Sequence, residues 1–202
     1  MKRILIALAV LLAVQVADAQ TKSPEAAKKA VESAEAASKD AKKATKVATW
    51  LKLASSYMDA YNAPAGSAWL GASKQELQLI MGNDRPVSVE EVVLGTDQLI
   101  KETYSNKEFY FSPAGQLVLI NVTQPVVEDA LGGALAAYKK AYKVDAKQSK
   151  TKDIVTGLST IAQKYLDEGM NSYTFGDLVK ASQLFEKAVE ASATAPLSKV
   201  DT

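Results

Sequence analysis

The pattern of apolar and polar positions divides the chain into two helical parts and a strand-like middle part. Residues 23–60 and 126–193 have the patterns typical of helices. Between Gly66 and Pro125, short runs of strand-forming residues are separated by turn-forming residues. The sequence therefore predicts a mostly α-helical protein with an inserted α+β module. The predicted divisions are 20–65, 66–125 and 126–202.

The helical parts carry recognisable start and stop signals. Ser23 is predicted to be the N-cap, Pro24 suits the first helical position, and Glu25 complements the helix dipole. The stretch 26–46 is rich in alanine and lysine, so we expect a solvated capping helix that buries little. After Pro125, helices are predicted over 126–144, 151–173 and 177–193, with Pro196 as a stop.

The middle part begins with a short helix and continues as strands. Ser73 and Glu76 form a capping box, which predicts a helix that ends near Met81. Four strand-like runs follow, over 89–94, 98–104, 107–111 and 116–122. Their short connections predict hairpins and an antiparallel meander. Because side chains alternate along a strand, Leu117 and Leu119 are predicted to share one face.

Small and aromatic residues recur near the C-terminus at a characteristic spacing. Gly169 precedes a turn at Gly176, and Ala181, Phe185 and Ala188 follow in the pattern A-x3-F-x2-A. This stretch resembles the tetratricopeptide repeat, a helix–turn–helix unit of about 34 residues. The resemblance implies that an aromatic side chain fills a gap between closely packed helices.

A second stretch resembles the same repeat, but in two separate halves. The pattern W-x2-L-A-x2-Y of a first helix is formed by Trp50, Leu53 and Tyr57. The pattern of a second helix is formed by Ala134, Tyr138 and Ala141. The resemblance therefore implies that 66–125 is inserted between the two helices of one repeat. Such a long insertion is tolerated because the entropic cost of closing a loop grows only slowly with its length.

The middle part has a weaker resemblance of its own. The segments 70–77, 81–82 and 111–117 are similar to the small α+β domain of an outer-membrane assembly lipoprotein family. This chain lacks the cysteine that carries the lipid in that family. The resemblance therefore bears on the fold alone, and no role in outer-membrane assembly is carried over.

The N-terminus has the features of a secretory signal peptide. Lys2 and Arg3 precede an unbroken apolar run of 11 residues, and Ala17-Asp18-Ala19 matches a cleavage signal. The rival interpretation, a membrane-spanning anchor, needs about 20 apolar residues. We therefore expect cleavage after Ala19 and an exported protein without a stable membrane anchor. With no cysteine for disulfides, the periplasm is favoured, and an extracellular location stays open.

Composition removes several kinds of chemistry. The chain has no cysteine and no histidine, which argues against thiol nucleophiles, imidazole acid–base catalysis and the usual zinc sites. Its net charge of +1 gives no reason to expect nucleic acid as a partner. Glu90 and Glu91 are adjacent on a predicted strand and face opposite sides. We therefore expect a non-enzymatic protein with no cofactor and no metal.

The resemblance to tetratricopeptide arrays implies a protein or peptide partner, bound in a groove lined by the first helices. Matched position by position, the groove residues are Leu51, Ser55, Met58, Asp59, Gln163, Leu166, Met170 and Tyr173. Most are apolar, which suits a hydrophobic segment or helix rather than a C-terminal carboxylate. The sequence thus predicts an interaction scaffold of the cell envelope.

The last predicted helix carries an apolar stripe with no evident cover. It comprises Leu178, Ala181, Phe185 and Ala188. We expect this stripe to be exposed, or to mediate self-association or contact with a partner.

Two other functions stay open at this point. The first is an envelope protein that binds a glycan or lipid through the inserted module, where Phe109, Tyr110 and Phe111 would meet the ligand. The second is a hydrolase that uses carboxylates of the module, such as Asp97 and Glu102.

Overall fold

A computed structural model of the protein describes residues 21–199. The predicted signal peptide over 1–19 and its cleavage site lie outside the described residues. Within them, helices form the majority of an α+β fold. The helices are α1 (Pro24–Lys39), α2 (Val47–Asn62), α3 (Lys74–Met81), α4 (Ala130–Val144), α5 (Thr151–Thr174) and α6 (Leu178–Ser192). The strands are β1 (Ser88–Leu94), β2 (Asp97–Thr103), β3 (Lys107–Phe111) and β4 (Leu117–Val122).

The segment with a helical pattern over 23–60 forms two helices, α1 and α2. Asp40 ends α1, and its carboxylate accepts hydrogen bonds at 2.9 Å from the backbone N–H groups of Lys42 and Lys43. These bonds stabilise a turn that reverses the chain, so α1 packs against α2. The helix α1 buries little, as expected: only Ala27, Val31 and Ala34 are buried, the first two against the C-terminal part of α2.

Helices α2 and α4 pack against each other although the whole middle part separates them in sequence. The ring of Tyr57 lies so close to Gly133 that a Cβ atom there would be 2.7 Å from it. Ala63 shares a core cluster with Val127, and Trp50 shares another with Tyr138. Residue numbers rise along one helix as they fall along the other, so the two helices are antiparallel. The ends of α2 and α4 that flank 66–125 therefore lie together.

Helices α5 and α6 form a second antiparallel pair. A Cβ atom at Gly169 would be 2.5 Å from the ring of Phe185. Ala181 and Ala188 are buried at 2% exposure. Most of the apolar stripe predicted to be uncovered on the last helix thus packs on α5, and that expectation is wrong for these residues. Only Leu178, at 62% exposure, remains open.

The middle part is a four-stranded antiparallel sheet in the order β1-β2-β3-β4, with α3 on one face. The predicted capping box is confirmed: Ser73 and Glu76 bond to each other's backbone N–H groups at the start of α3. Aromatic and aliphatic side chains fill the space between α3 and the sheet. This core consists of Ala72, Leu77, Tyr104, Phe109, Phe111 and Leu117.

An irregularity in β4 changes which side chains share a face. Phe111 pairs with Leu117, but the preceding residue, Tyr110, pairs with Leu119. The extra residue forms a β-bulge, which reverses the alternation beyond it. Leu119 therefore lies on the face opposite Leu117, and the prediction that these two leucines share a face is wrong.

The second face of the sheet contacts the helical part. The ring of Tyr110 packs edge-on against that of Phe175 at the end of α5, with 5.4 Å between the ring centroids. The side-chain amide of Asn171 donates a hydrogen bond to the carbonyl oxygen of Ile120 at 3.5 Å. These contacts place the sheet beside the C-terminal half of α5.

Candidate functional site

Side chains of α2 and α5 meet where the inserted module joins the helices. The hydroxyl of Tyr61 on α2 donates a hydrogen bond to Glu168 on α5 at 2.8 Å. Lys164, one turn earlier on α5, holds its ammonium 5.9 Å from the centroid of the Tyr61 ring. Burial, and then the charge of Glu168, raise the pKa of Tyr61 well above its usual range. Its hydroxyl therefore stays protonated and remains a donor across the physiological pH range.

The four groove residues predicted on α2 are partly used in contacts within the protein. Leu51 and Met58 pack against the main helical core. Asp59 forms an ion pair with Lys22, with 2.6 Å between Nζ and Oδ2. The Ser55 hydroxyl donates to the carbonyl of Lys52 in the preceding turn. The helix α2 therefore offers a partner less free surface than its sequence pattern suggests.

The four groove residues predicted on α5 form an exposed stripe. Leu166, Met170 and Tyr173 are 41%, 56% and 59% exposed. Gln163 is exposed one turn earlier, and its amide bonds to Asp167 at 2.9 Å. Spacings of three and four residues place these side chains on one side of a helix. We call Gln163, Leu166, Met170 and Tyr173 the α5 stripe.

The stripe borders a cleft between the two helices and the module. The cleft has a volume of about 420 Å³ and opens to solvent. Its wall combines apolar side chains, two amides and opposite charges. We call it the α5 cleft; among its lining residues are Tyr61, Asn62, Leu70, Ile120, Lys164, Asp167, Met170 and Asn171.

Sequence reasoning missed most of this wall. Leu70 comes from the segment before α3, and Ile120 comes from β4. They reach the helices because the module docks on α5 through Tyr110 and Asn171. No motif in the sequence indicates this contact between the sheet and α5. The pattern of the module alone, or of the helices alone, could not predict it.

A second cavity, of about 340 Å³, shares Tyr61 and Glu168 with the α5 cleft. Lys187 from α6 crosses its wall, 3.6 Å from Asp129 and 5.6 Å from the centroid of the Tyr165 ring. Burial raises the pKa of Tyr165, so this hydroxyl also stays protonated.

The residues considered for the two alternative functions lie elsewhere. Phe109 and Phe111 are at most 1% exposed and Tyr110 is 5% exposed, so a ligand would meet none of these rings on the module surface. Glu102 is held by Lys74 at 2.6 Å and accepts a hydrogen bond from Tyr104. Asp97 is five residues away on β2, and the alternation of side chains places it on the opposite face.

Two general features of the described chain complete the site description. Across residues 21–199, no group of three acidic side chains is arranged to hold a metal ion. No helix in the same range is long and apolar enough to cross a membrane. Comparisons with protein families, with curated proteins and with solved structures give no match to this chain.

Proposed function

We propose that this protein is an exported, non-enzymatic scaffold of the cell envelope that binds a protein partner through the α5 stripe and the α5 cleft. The observation that carries the proposal is the exposure of Leu166, Met170 and Tyr173 in one row beside a cleft. Exposed apolar residues that are grouped, rather than scattered, are typical of an interaction surface. Methionine and tyrosine suit such a surface because they adapt their shape and keep a polar handle.

We further propose that α2 with α4, and α5 with α6, are tetratricopeptide-like hairpins. The close approach of Gly169 to Phe185 supports this proposal, because it joins two positions of the repeat pattern. In the split hairpin, the ring of Tyr57 meets α4 at Gly133. The hydrogen bond between Tyr61 and Glu168 is one contact between α2 and α5, which would be the first helices of neighbouring hairpins.

The partner segment proposed for the stripe is an amphipathic helix or a short extended stretch with apolar side chains. A row of exposed side chains at three- and four-residue spacing matches the anchor spacing of a helix that packs along it. Lys164 and Asp167 at the edge of the cleft would then bond to polar groups of that segment. The export proposal rests on the N-terminal sequence alone, from Lys2 to Ala19.

The test compares two lysine substitutions in the mature chain, 20–202. Met170→Lys places a charge in the stripe, and the matched control Val189→Lys places one on α6, where Val189 is 68% exposed. Partners are captured from a cell-envelope extract and quantified by mass spectrometry. We expect Met170→Lys to lose a partner that the wild type and Val189→Lys both retain. Equal capture by all three forms would contradict the proposed binding surface.

A further inference from the structure

The outer edge of β1 is free within the part of the chain that the structure describes. The strand order places β1 at one end of the sheet, where β2 is its only strand neighbour in residues 21–199. The other end is different, because the segment before α3 covers part of β4: the backbone N–H of Leu117 donates to Ala72 at 2.8 Å. An unpaired strand edge is a template for another strand.

The hydrogen-bond pattern shows which backbone groups point outward. The N–H of Tyr104 donates to the carbonyl of Lys107 at 2.8 Å, so Tyr104 turns its backbone groups toward β3. Because the direction alternates along a strand, Thr103 turns its groups toward β1. The N–H of Val87 donates to the carbonyl of Thr103 at 2.7 Å, which agrees with this assignment.

The same alternation runs through β1. The odd-numbered residues of β2, like Thr103, turn their backbone groups toward β1. Their partners in β1 are Ser88, Glu90, Val92 and Leu94, so these four residues bond to β2. The three residues between them turn their N–H and C=O groups away from the sheet. We call Val89, Glu91 and Val93 the edge triad.

The side chains of the edge triad share one face and are open to solvent. Val89 is 57% exposed and Val93 is 65% exposed. Glu91 is exposed between them, and no hydrogen bond or ion pair is found for its carboxylate within residues 21–199. Its neighbour Glu90 differs, because Lys101 neutralises it at 2.6 Å. The edge therefore presents apolar, anionic and apolar side chains in a row.

We propose that the edge triad accepts an extended segment of another protein as a fifth, antiparallel strand of the sheet. The outward backbone groups supply the hydrogen bonds of the new ladder. The side chain opposite Glu91 is a lysine or arginine, and the side chains opposite Val89 and Val93 are apolar. Opposite charges and β-branched pairs are the cross-strand neighbours that stabilise a sheet.

Charge argues against a second copy of this chain as the occupant. The antiparallel register that pairs all three outward residues of both copies places Val89 opposite Val93, which is favourable. It also places Glu91 opposite Glu91, and like charges directly opposite each other destabilise a strand pair. A cationic residue at that position removes the repulsion.

The test uses the mature chain and a defined peptide. The probe is the acetylated and amidated peptide Thr-Val-Thr-Lys-Thr-Val-Thr, and the control peptide carries Glu in place of Lys. Binding is followed by the backbone amide shifts of the protein in NMR titrations. We expect shifts centred on the edge triad, and about tenfold weaker binding of the control peptide.

Two variants keep the test independent of misfolding. Glu91→Lys is expected to reverse the order of the two peptides, an outcome that loss of structure cannot produce. Val93→Pro removes one outward N–H group but no bond to β2, and we expect it to abolish binding. Met170→Lys, in the α5 stripe, is expected to bind the probe as the wild type does. Failure of strand addition at the edge triad can therefore be told apart from failure of partner binding at the α5 stripe.

Three results of the titrations would overturn the proposal. They are no shifts at millimolar peptide, equal affinity for both peptides, and shifts confined to residues outside β1. A dimer in sedimentation experiments that Val93→Pro abolishes would also overturn it, because the occupant would then be a second copy.

Discussion

At the residue scale, three glycines control how closely the helices approach. Each one faces an aromatic ring on a neighbouring helix, and a Cβ atom in its place would come within 2.7 Å of a ring atom. The pairs are Gly133 with Tyr57, Gly157 with Tyr138, and Gly169 with Phe185. The same device therefore recurs at the α2–α4, α4–α5 and α5–α6 contacts. Of these pairs, the sequence pattern suggested that of Gly169 with Phe185.

Gly169→Ala tests this device. At an exposed helix position the change would add up to about 1 kcal/mol of stability. Here the new Cβ would meet the Phe185 ring at 2.5 Å, so we expect a loss of about 1–3 kcal/mol instead. Urea unfolding of the mature chain measures the free energy.

The same substitution, Gly169→Ala, is also measured in a protein that carries Phe185→Leu. The smaller side chain leaves room for the alanine, so the cost of Gly169→Ala should shrink in the double variant. An equal cost in both backgrounds would show that the glycine and the ring are not coupled.

Tyr57 gives a prediction about pH. Its hydroxyl donates to Glu35 at 2.5 Å, and burial together with that carboxylate raises the pKa of Tyr57 to about 12. A tyrosine in the unfolded chain ionises near pH 10, so the neutral hydroxyl contributes its stability below pH 10. That contribution is lost as the pH rises from 10 to 12. Urea midpoints at a series of pH values should fall less steeply for Tyr57→Phe than for the wild type. Parallel curves for the two proteins would contradict the assignment.

At the element scale, local signals in the sequence predicted secondary structure well and contacts between elements poorly. The capping box at Ser73 is a local hydrogen-bond pattern, and α3 begins where it predicts. The turn at Asp40 was missed because an alanine- and lysine-rich stretch has helix propensity on both sides of it. The bulge that moves Leu119 to the other face depends on strand pairing, which propensity does not encode.

The groove residues assigned to α5 and those assigned to α2 differ in how much of their surface is exposed. The residues of the α5 stripe, including Met170 and Tyr173, were assigned through the resemblance to the tetratricopeptide repeat, and both side chains are exposed. Leu51 and Met58 are assigned to the groove on α2 by the same resemblance, but they pack against the main helical core, which covers part of their surface. Burial of a helix face depends on which neighbour covers it, so a pattern within one helix could not separate the two cases.

Excision of 66–125 tests whether the helices form a unit without the module. Ala63 and Val127 share a core cluster, so a short Gly/Ser linker should span the gap between α2 and α4. We expect the shortened protein to keep its helical circular dichroism and to unfold cooperatively in urea. Its stability should fall, since the contact between Tyr110 and Phe175 is lost. Loss of cooperative unfolding would show that the module is part of the helical core.

At the scale of the whole molecule, the helices and the sheet contribute different surfaces. The helical part presents the α5 stripe, and docking of the module closes one side of the α5 cleft through Leu70 and Ile120. The sheet presents the edge triad on β1. Two separate surfaces of different chemistry are consistent with a protein that brings partners together, as we propose for this scaffold.

Crosslinking of the mature chain to its captured partner, with mass spectrometry of the linked peptides, tests the proposed binding surface most directly. Lys164 lines the α5 cleft, whereas Lys101 and Lys107 lie on the module in ion pairs with Glu90 and Asp84. We expect links from Lys164 to one defined protein, and their loss in Met170→Lys. Links confined to Lys101 and Lys107, unchanged in Met170→Lys, would contradict binding at the α5 cleft.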